Sequence, residues 1–122
     1  MIPHNRPTLG KEEEDAAIRV LREGWLAQGE EVKKFENEFS QLSKIKYSVG
    51  CASGTDALTL ALLSLNLQKD DEVIVPGMTY ISTGLSVLLN NNKLVTTDID
   101  DSTGLISIEK ITKRITKKTK AI

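Results

Sequence analysis

The stretch Gly50 to Leu62, GCASGTDALTLAL, decides the fold. Small residues run into Ser53-Gly54-Thr55, and an apolar helical pattern follows at once. The turn between them has two readings. It is a plain helix N-cap, because a serine there offers its side-chain oxygen to the amides of the first turn. Or it is an anion seat: Gly54 lets a ligand approach the backbone, the free amides of the helix start point outward, and the Thr55 hydroxyl adds a bond. Ser-Gly-Thr alone does not choose between them. It lacks the Gly-Lys-Ser/Thr ending of a Walker loop, and the chain contains no Gly-x-Gly-x-x-Gly.

Working outward, Tyr47 to Ala52 reads as a first strand, small and apolar. The helix from about Gly54 to Leu65 is apolar on most sides, which predicts deep burial. Glu72 to Val75, EVIV, is a β-branched run of the kind found in buried strands, and Pro76 ends it. Thr79 to Leu89 suits a helix with Ile81, Leu85, Leu88 and Leu89 toward a sheet, and Asn90 to Asn92 is its exit. Leu94 to Thr97 is a further short strand, and Asp98 to Gly104 is rich in turn residues. Ser107 can cap a last helix carrying Ile108, Ile111 and Ile115, and Thr119 to Ile122 reads as the start of another strand.

Upstream, Pro3 and Pro7 predict an extended stretch from Met1 to Leu9. A helix is expected over Lys11 to Glu23, with acidic residues at its positive end and Gly24 as its stop. Gly24 to Gly29 is a loop. Val32, Phe35, Phe39 and Leu42 fall on one face of a second helix. The organisation is therefore a helical segment over 1–45 and strand-helix alternation over 46–122. The fold class is α/β, with a helix-flanked, mainly parallel sheet. A sheet of three or four parallel strands is small, and a piece of a larger domain is the expectation.

The totals narrow the function classes. The chain has 122 residues, ordinary globular composition and a formal net charge of −1, which gives no argument for nucleic acid as the main partner. Six basic residues and no acidic ones lie between Lys110 and Lys120. They read as an anion patch or, more plainly, as a solvated helix face, since no aromatic is interleaved to stack on bases. One cysteine, Cys51, excludes an internal disulfide and suits a reducing cytoplasm; its place in the expected strand makes it an apolar filler. No signal peptide or membrane-spanning run is evident, so a soluble cytoplasmic protein is expected. Metal binding is not expected. His4 is the only histidine, and Asp98, Asp100 and Asp101 lack the spacing of a calcium loop.

In an open parallel sheet, ligands bind outside the carboxyl ends of the strands. Two such ends carry candidates: Ser53-Gly54-Thr55, and Gly77-Met78-Thr79-Tyr80 after EVIVP. Tyr80 is either a packing tyrosine or an aromatic that stacks on a planar ring. A phosphate seat on one end and an aromatic on the next together suit a planar phosphorylated cofactor.

The whole string resembles the N-terminal third of the DegT/DnrJ/StrS family of pyridoxal-phosphate-dependent sugar aminotransferases. The resemblance rests on five pieces in order: IPHNRPTLGKEE, REGWLAQGEEVKKFENEF, ASGTDALTLAL, KDDEVIVPGMTYISTGLSVL and DIDDSTGLISIEKITKRITKKTKAI. It implies the N-terminal part of a fold type I large domain, with the rest of that domain and the small domain absent. By resemblance, Gly54 and Thr55 hold the phosphate of pyridoxal 5'-phosphate, Ser53 is a weaker candidate beside them, and Tyr80 stacks on the pyridine ring. The family's Schiff-base lysine, the aspartate on the pyridine nitrogen and a further phosphate-binding serine lie downstream. None of the twelve lysines here sits in a matching motif, so no catalytic residue is assigned and the chain alone is expected to be inactive. The implied reaction moves an amino group, from glutamate as the amino-acid donor, to a keto group of a nucleotide-linked sugar. The implied assembly is a homodimer, without nucleic acid or membrane. The competing expectations are a truncated relative that only binds phosphorylated ligands, and one that self-associates through exposed apolar surface.

Overall fold

The computed structural model describes residue 2 and residues 4–122, so the extended stretch expected over Met1 to Leu9 lies partly outside the described residues. The chain divides into two compact units, residues 1–50 and 51–122.

The first unit is helical. α1, Lys11–Glu23, carries Glu12, Glu13 and Glu14 in its first turn, where carboxylates complement the positive helix end. The Glu13 carboxylate accepts from the Gly10 amide at 2.6 Å and closes that end. α2, Glu30–Ser43, is tied to α1 by Arg19, whose guanidinium donates to Glu31 Oε1 at 2.9 Å. Lys34 donates to the same oxygen at 2.8 Å, and the two cations hold the Glu31 carboxyl at about 2. Phe35 and Phe39 pair on the apolar face of α2, their ring centroids 5.9 Å apart.

The strand expected over Tyr47 to Ala52 does not form. A strand needs a neighbouring backbone, and here the segment spends its polar groups on α2 instead. Ser48 Oγ donates to the Glu36 carbonyl, and the Gly50 amide donates to Glu36 Oε1 at 2.8 Å. Cys51 is accordingly exposed, not an apolar filler within a buried strand.

The second unit holds α3 (Gly54–Ser64), β1 (Glu72–Pro76), α4 (Ile81–Leu89), β2 (Lys93–Thr97), α5 (Ile108–Thr112) and β3 (Thr119–Ala121). The sheet order is β2-β1-β3, all parallel, with Val73 opposite Leu94 and Val75 opposite Thr96. The β-branched run EVIV is thus the central strand, and its four residues are buried. Ser107 caps α5 as expected, but the helix ends at Thr112, before Ile115.

α4 turns a different face inward from the one its leucines mark. Ser82, Ser86 and Val87 are buried, whereas Ile81, Leu85, Leu88 and Leu89 are exposed. Close approach explains this. A Cβ on Gly84 would stand 3.3 Å from Leu94 Cδ2, so the helix meets β2 through its narrow side. Val73, Val75 and Val87 form the core, with Leu62, Leu67, Leu94 and Ala121 against it. α3 packs along α4 but has no buried residue, and Leu58, Leu60 and Leu63 are exposed. The deep burial expected of α3 is therefore not found: one neighbouring helix covers one side of it.

The amino edge of the sheet is stitched by polar side chains. Glu72 is only 5% exposed, so its charge must be paired. Oε1 accepts from Lys93 Nζ at 2.8 Å and Oε2 from Thr116 Oγ1 at 2.6 Å, joining β1 to β2 and to the approach to β3. Asn92 Nδ2 donates to the Gln68 carbonyl at 2.8 Å and binds the two loops of that edge together.

Those bonds hold the Glu72 carboxyl below its ordinary value, the Lys93 bond being the larger cause. The sign follows. A depressed folded-state value contributes stability that is complete above the unfolded value and is lost as pH falls through the folded one. The urea midpoint of the parent is therefore expected to fall more steeply between about pH 5 and pH 3 than that of Glu72→Gln, which has no proton to take up there. Equal slopes for the two proteins would show that this carboxylate does not govern acid stability.

Candidate functional site

α3 leaves its last turn toward the loop containing Gln68, which is bonded to Asn92 at the amino edge. Its eleven residues span ~16 Å, much as the five residues of β1 do. Its start therefore lies toward the carboxyl edge of the sheet. α4 begins at that edge too, because it follows β1 directly and returns to the start of a parallel strand. The topology thus brings Ser53, Gly54, Thr55 and Tyr80 to one edge.

Ser53 is the N-cap of α3, in extended conformation (φ −155°, ψ 165°). Its hydroxyl is fully engaged. Oγ accepts from the Asp56 amide at 3.2 Å and donates to Asp56 Oδ2 at 2.8 Å. The first intrahelical bond is Ala57 N to Ser53 O, at 3.0 Å. The amides of Gly54 and Thr55 precede it and have no acceptor among the described residues. Nothing stands within 4 Å of where a Gly54 Cβ would be, so that backbone is open to a ligand. Thr55 is half-buried, and its carbonyl takes the Thr59 hydroxyl at 2.8 Å.

The cap reading of Ser-Gly-Thr holds, and it does not use up the helix start. The cap consumes the Ser53 hydroxyl and the Asp56 amide, and it leaves two amides at the positive end of an eleven-residue helix. Asp56 is the residue that sequence reasoning missed. Its signal was present, since an acidic side chain three residues after a serine is the spacing of a reciprocal cap. Asp56 also places a carboxylate in the first turn, which opposes an anion there.

Tyr80 is the N-cap residue of α4 and is 76% exposed, so it is available for stacking and is not a packing tyrosine of this unit. Its position is set on both sides. The Gly77 amide donates to the Thr97 carbonyl at 2.7 Å, and the Thr83 amide donates to the Tyr80 carbonyl at 3.0 Å. Thr79 and Thr83 share a hydroxyl bond of 3.0 Å across the first turn.

Among the described residues no cluster of three or more His, Cys, Asp or Glu side chains could hold a metal. Asp100 serves its own turn. Oδ1 accepts from the Ser102 hydroxyl, and from the Thr103 and Ser102 amides, each at 3.0 Å, and these with the Thr103 hydroxyl hold its carboxyl at about 2, the Ser102 hydroxyl being the largest cause. No helix among the described residues is long and apolar enough to cross a membrane.

The chain is 36% identical over 122 residues to the GDP-perosamine synthase of Escherichia coli O157:H7, an alignment covering 99% of this chain and 34% of that protein. It superposes on the aminotransferase of Psychrobacter cryohalolentis with a TM-score of 0.88 at 36% identity, over 97% of this chain and 31% of the other. It superposes on E. coli GDP-4-keto-6-deoxy-D-mannose-3-dehydratase, solved with bound hydrated PLP, with a TM-score of 0.90 at 32% identity, over 98% of this chain and 32% of the other. The chain thus spans about a third of the length of the relatives it matches. The architecture is that of the N-terminal part of a fold type I large domain. The model of the DegT/DnrJ/EryC1/StrS aminotransferase family matches residues 7–122, and the chain belongs to that family.

Proposed function

We propose that this chain supplies the phosphate-holding and ring-stacking half of a pyridoxal 5'-phosphate site in a sugar aminotransferase. The observation that carries the reading is the pair of open amides at Gly54 and Thr55 on a capped helix start, with an exposed Tyr80 on the same edge. The residues fit the group. Two backbone donors and a hydroxyl suit phosphate oxygens, the missing Cβ admits them, and a flat exposed ring suits a pyridine. Bound there, the cofactor supplies the electron sink that lets an amino group leave one substrate and join another.

The chain's own residues orient and hold. Gly54 and Thr55 donate to the phosphate through their amides, and the Thr55 hydroxyl adds a third donor. Tyr80 covers one ring face. Ser53, whose proton goes to Asp56, fixes the turn and leaves direct contact to its neighbours. The amino donor in this reading is glutamate, and the acceptor is a keto group of a nucleotide-linked sugar. The name of the GDP-perosamine synthase relative supports a nucleotide sugar in kind. The working protein is a cytoplasmic homodimer in this reading, and one exposed cysteine suits a reducing compartment. The 122 residues are part of the large domain, whose remainder covers the exposed apolar faces of α3 and α4 and contributes the lysine.

A second reading, dehydration of a keto sugar nucleotide on the same cofactor, draws on the likeness to the E. coli dehydratase. Transfer of ¹⁵N from labelled glutamate to the sugar separates the two.

In the whole protein, Thr55→Ala should weaken pyridoxal phosphate binding about tenfold or more, the size of a lost hydrogen bond to a charged group. Tyr80→Ala should weaken it by about threefold to tenfold. Absorbance titration with the cofactor reads both, and Thr55→Ala binding as tightly as the parent would remove the phosphate seat from Gly54-Thr55. Ser53→Ala should act on folding instead, lowering stability by about 1 kcal/mol in urea denaturation. The 122 residues given pyridoxal phosphate, glutamate and a keto sugar nucleotide should show no turnover. Turnover by them alone would place the catalytic groups within this chain.

A further inference from the structure

The basic run Lys110 to Lys120 plays no part in the reading above, and the structure gives it a definite setting. The β1-to-β2 and β2-to-β3 connections step across the sheet in opposite directions, so right-handed crossovers put α4 on one face and α5 on the other. On the α5 side, at the carboxyl end of β2, Thr97, Asp98, Lys110, Lys113 and Arg114 line a hollow of about 440 Å³.

Its cations are not equally committed. Lys110 Nζ is fixed on the Ile99 carbonyl at 2.7 Å and stays there as a positive charge. Lys113 pairs with Glu109 at 2.6 Å, but both side chains are largely exposed, a pairing that water screens and that is easily exchanged. The Arg114 amide donates to the Ile111 carbonyl at 2.7 Å, but its guanidinium has no ion pair or hydrogen bond among the described residues. Asp98 is the single carboxylate of the lining, against three cations.

Thr97 supplies an independent observation. It is 2% exposed, and its hydroxyl is the one buried side-chain polar atom among the described residues without a hydrogen-bond partner. Such a group is costly to leave unmade. Thr97 also lines the hollow, so rotation about its Cα–Cβ bond can turn the hydroxyl toward it. An oxyanion would give it an acceptor.

We propose that this hollow binds a phosphate-class oxyanion. The Arg114 guanidinium makes a two-pronged contact, Lys113 turns from Glu109 to the same group, and the Thr97 hydroxyl donates to it. The planar fork of arginine matches two phosphate oxygens at once, which a lysine cannot do. No aromatic lines the hollow, so a nucleobase has nothing to stack on, and the recognised moiety is the phosphate itself, free or as an ester.

The test is a titration of this chain with inorganic phosphate at constant ionic strength, followed by amide and arginine side-chain NMR shifts. Saturable shifts are expected at Thr97, Asp98 and Arg114. Arg114→Gln should weaken them at least tenfold, whereas Lys69→Gln, a cation of the α3–β1 loop, should leave them unchanged. Thr97→Val should raise the thermal midpoint without phosphate and abolish most of the further rise that phosphate gives the parent. A purely structural threonine would not show that opposed pair. Shifts at Gly54 and Thr55 report the helix turn separately, and the Thr55→Ala variant removes that contribution. Non-saturable shifts, shifts confined to Gly54 and Thr55, or an affinity untouched by Arg114→Gln would overturn the proposal. Shifts at Gly54 and Thr55 bear on the cofactor reading alone, and those at Thr97, Asp98 and Arg114 on this proposal alone.

Discussion

A parallel strand cannot be reached by a tight turn; the chain must first travel back the length of the sheet. β1 has a parallel partner on each side, and the rest of the second unit follows from that. Every return ends at one edge and every outgoing segment starts at the other. The two edges differ in how their polar groups are settled. At the amino edge they are matched, with Glu72 between Lys93 and Thr116 and Asn92 on Gln68. At the carboxyl edge they are left open: the Gly54 and Thr55 amides, the exposed Tyr80 ring and the Thr97 hydroxyl. Unmet hydrogen-bonding capacity is expensive in a finished fold, so the two edges differ in kind: one is closed on itself and the other keeps donors on offer.

Much of this was legible in the residues. EVIV could be recognised as a buried strand because β-branched residues buried on both faces leave no alternation, and Pro76 marks its end. α1 and α2 followed their apolar spacing and their flanking glycines. Even the start of a strand at Thr119 to Ile122 was visible, and β3 forms over Thr119–Ala121. Tyr47 to Ala52 was not, for a physical reason: strand character belongs to a pair of backbones. Both edges of β1 are taken by β2 and β3, and residues 47–50 bond to Glu36 and Ser40 instead. Composition describes a segment and is silent about its neighbour.

α4 shows a second limit. Its leucines mark an apolar face, and the natural inference turns that face to the sheet. Contact is decided by how closely two backbones can approach, however, and Gly84 against Leu94 allows the narrow side nearer than any leucine would. Ser82 and Ser86 are buried as a result; the Ser86 hydroxyl returns its proton to the Thr83 carbonyl at 2.9 Å, so the serine adds no unmet donor to the core. The leucines stay on the outside. Their exposure, with that of Leu58, Leu60 and Leu63 on α3, is more apolar surface than a three-stranded sheet can cover.

The turn Ser53-Gly54-Thr55 joins the two themes. Capping and anion binding compete for the same few amides, so a helix start that is completely capped cannot hold a ligand, and one without a cap frays. Here the division is by position. Ser53 and Asp56 satisfy each other, taking one amide and one hydroxyl proton, and the two amides between them stay open. The cost is the Asp56 carboxylate, which repels an anion from within the first turn. The gain is that the open amides belong to a helix whose first turn is already closed, so a phosphate would meet donors whose direction is set before it arrives. Donors fixed in advance spend little of the binding energy on ordering themselves, which offsets the repulsion from one screened, exposed charge.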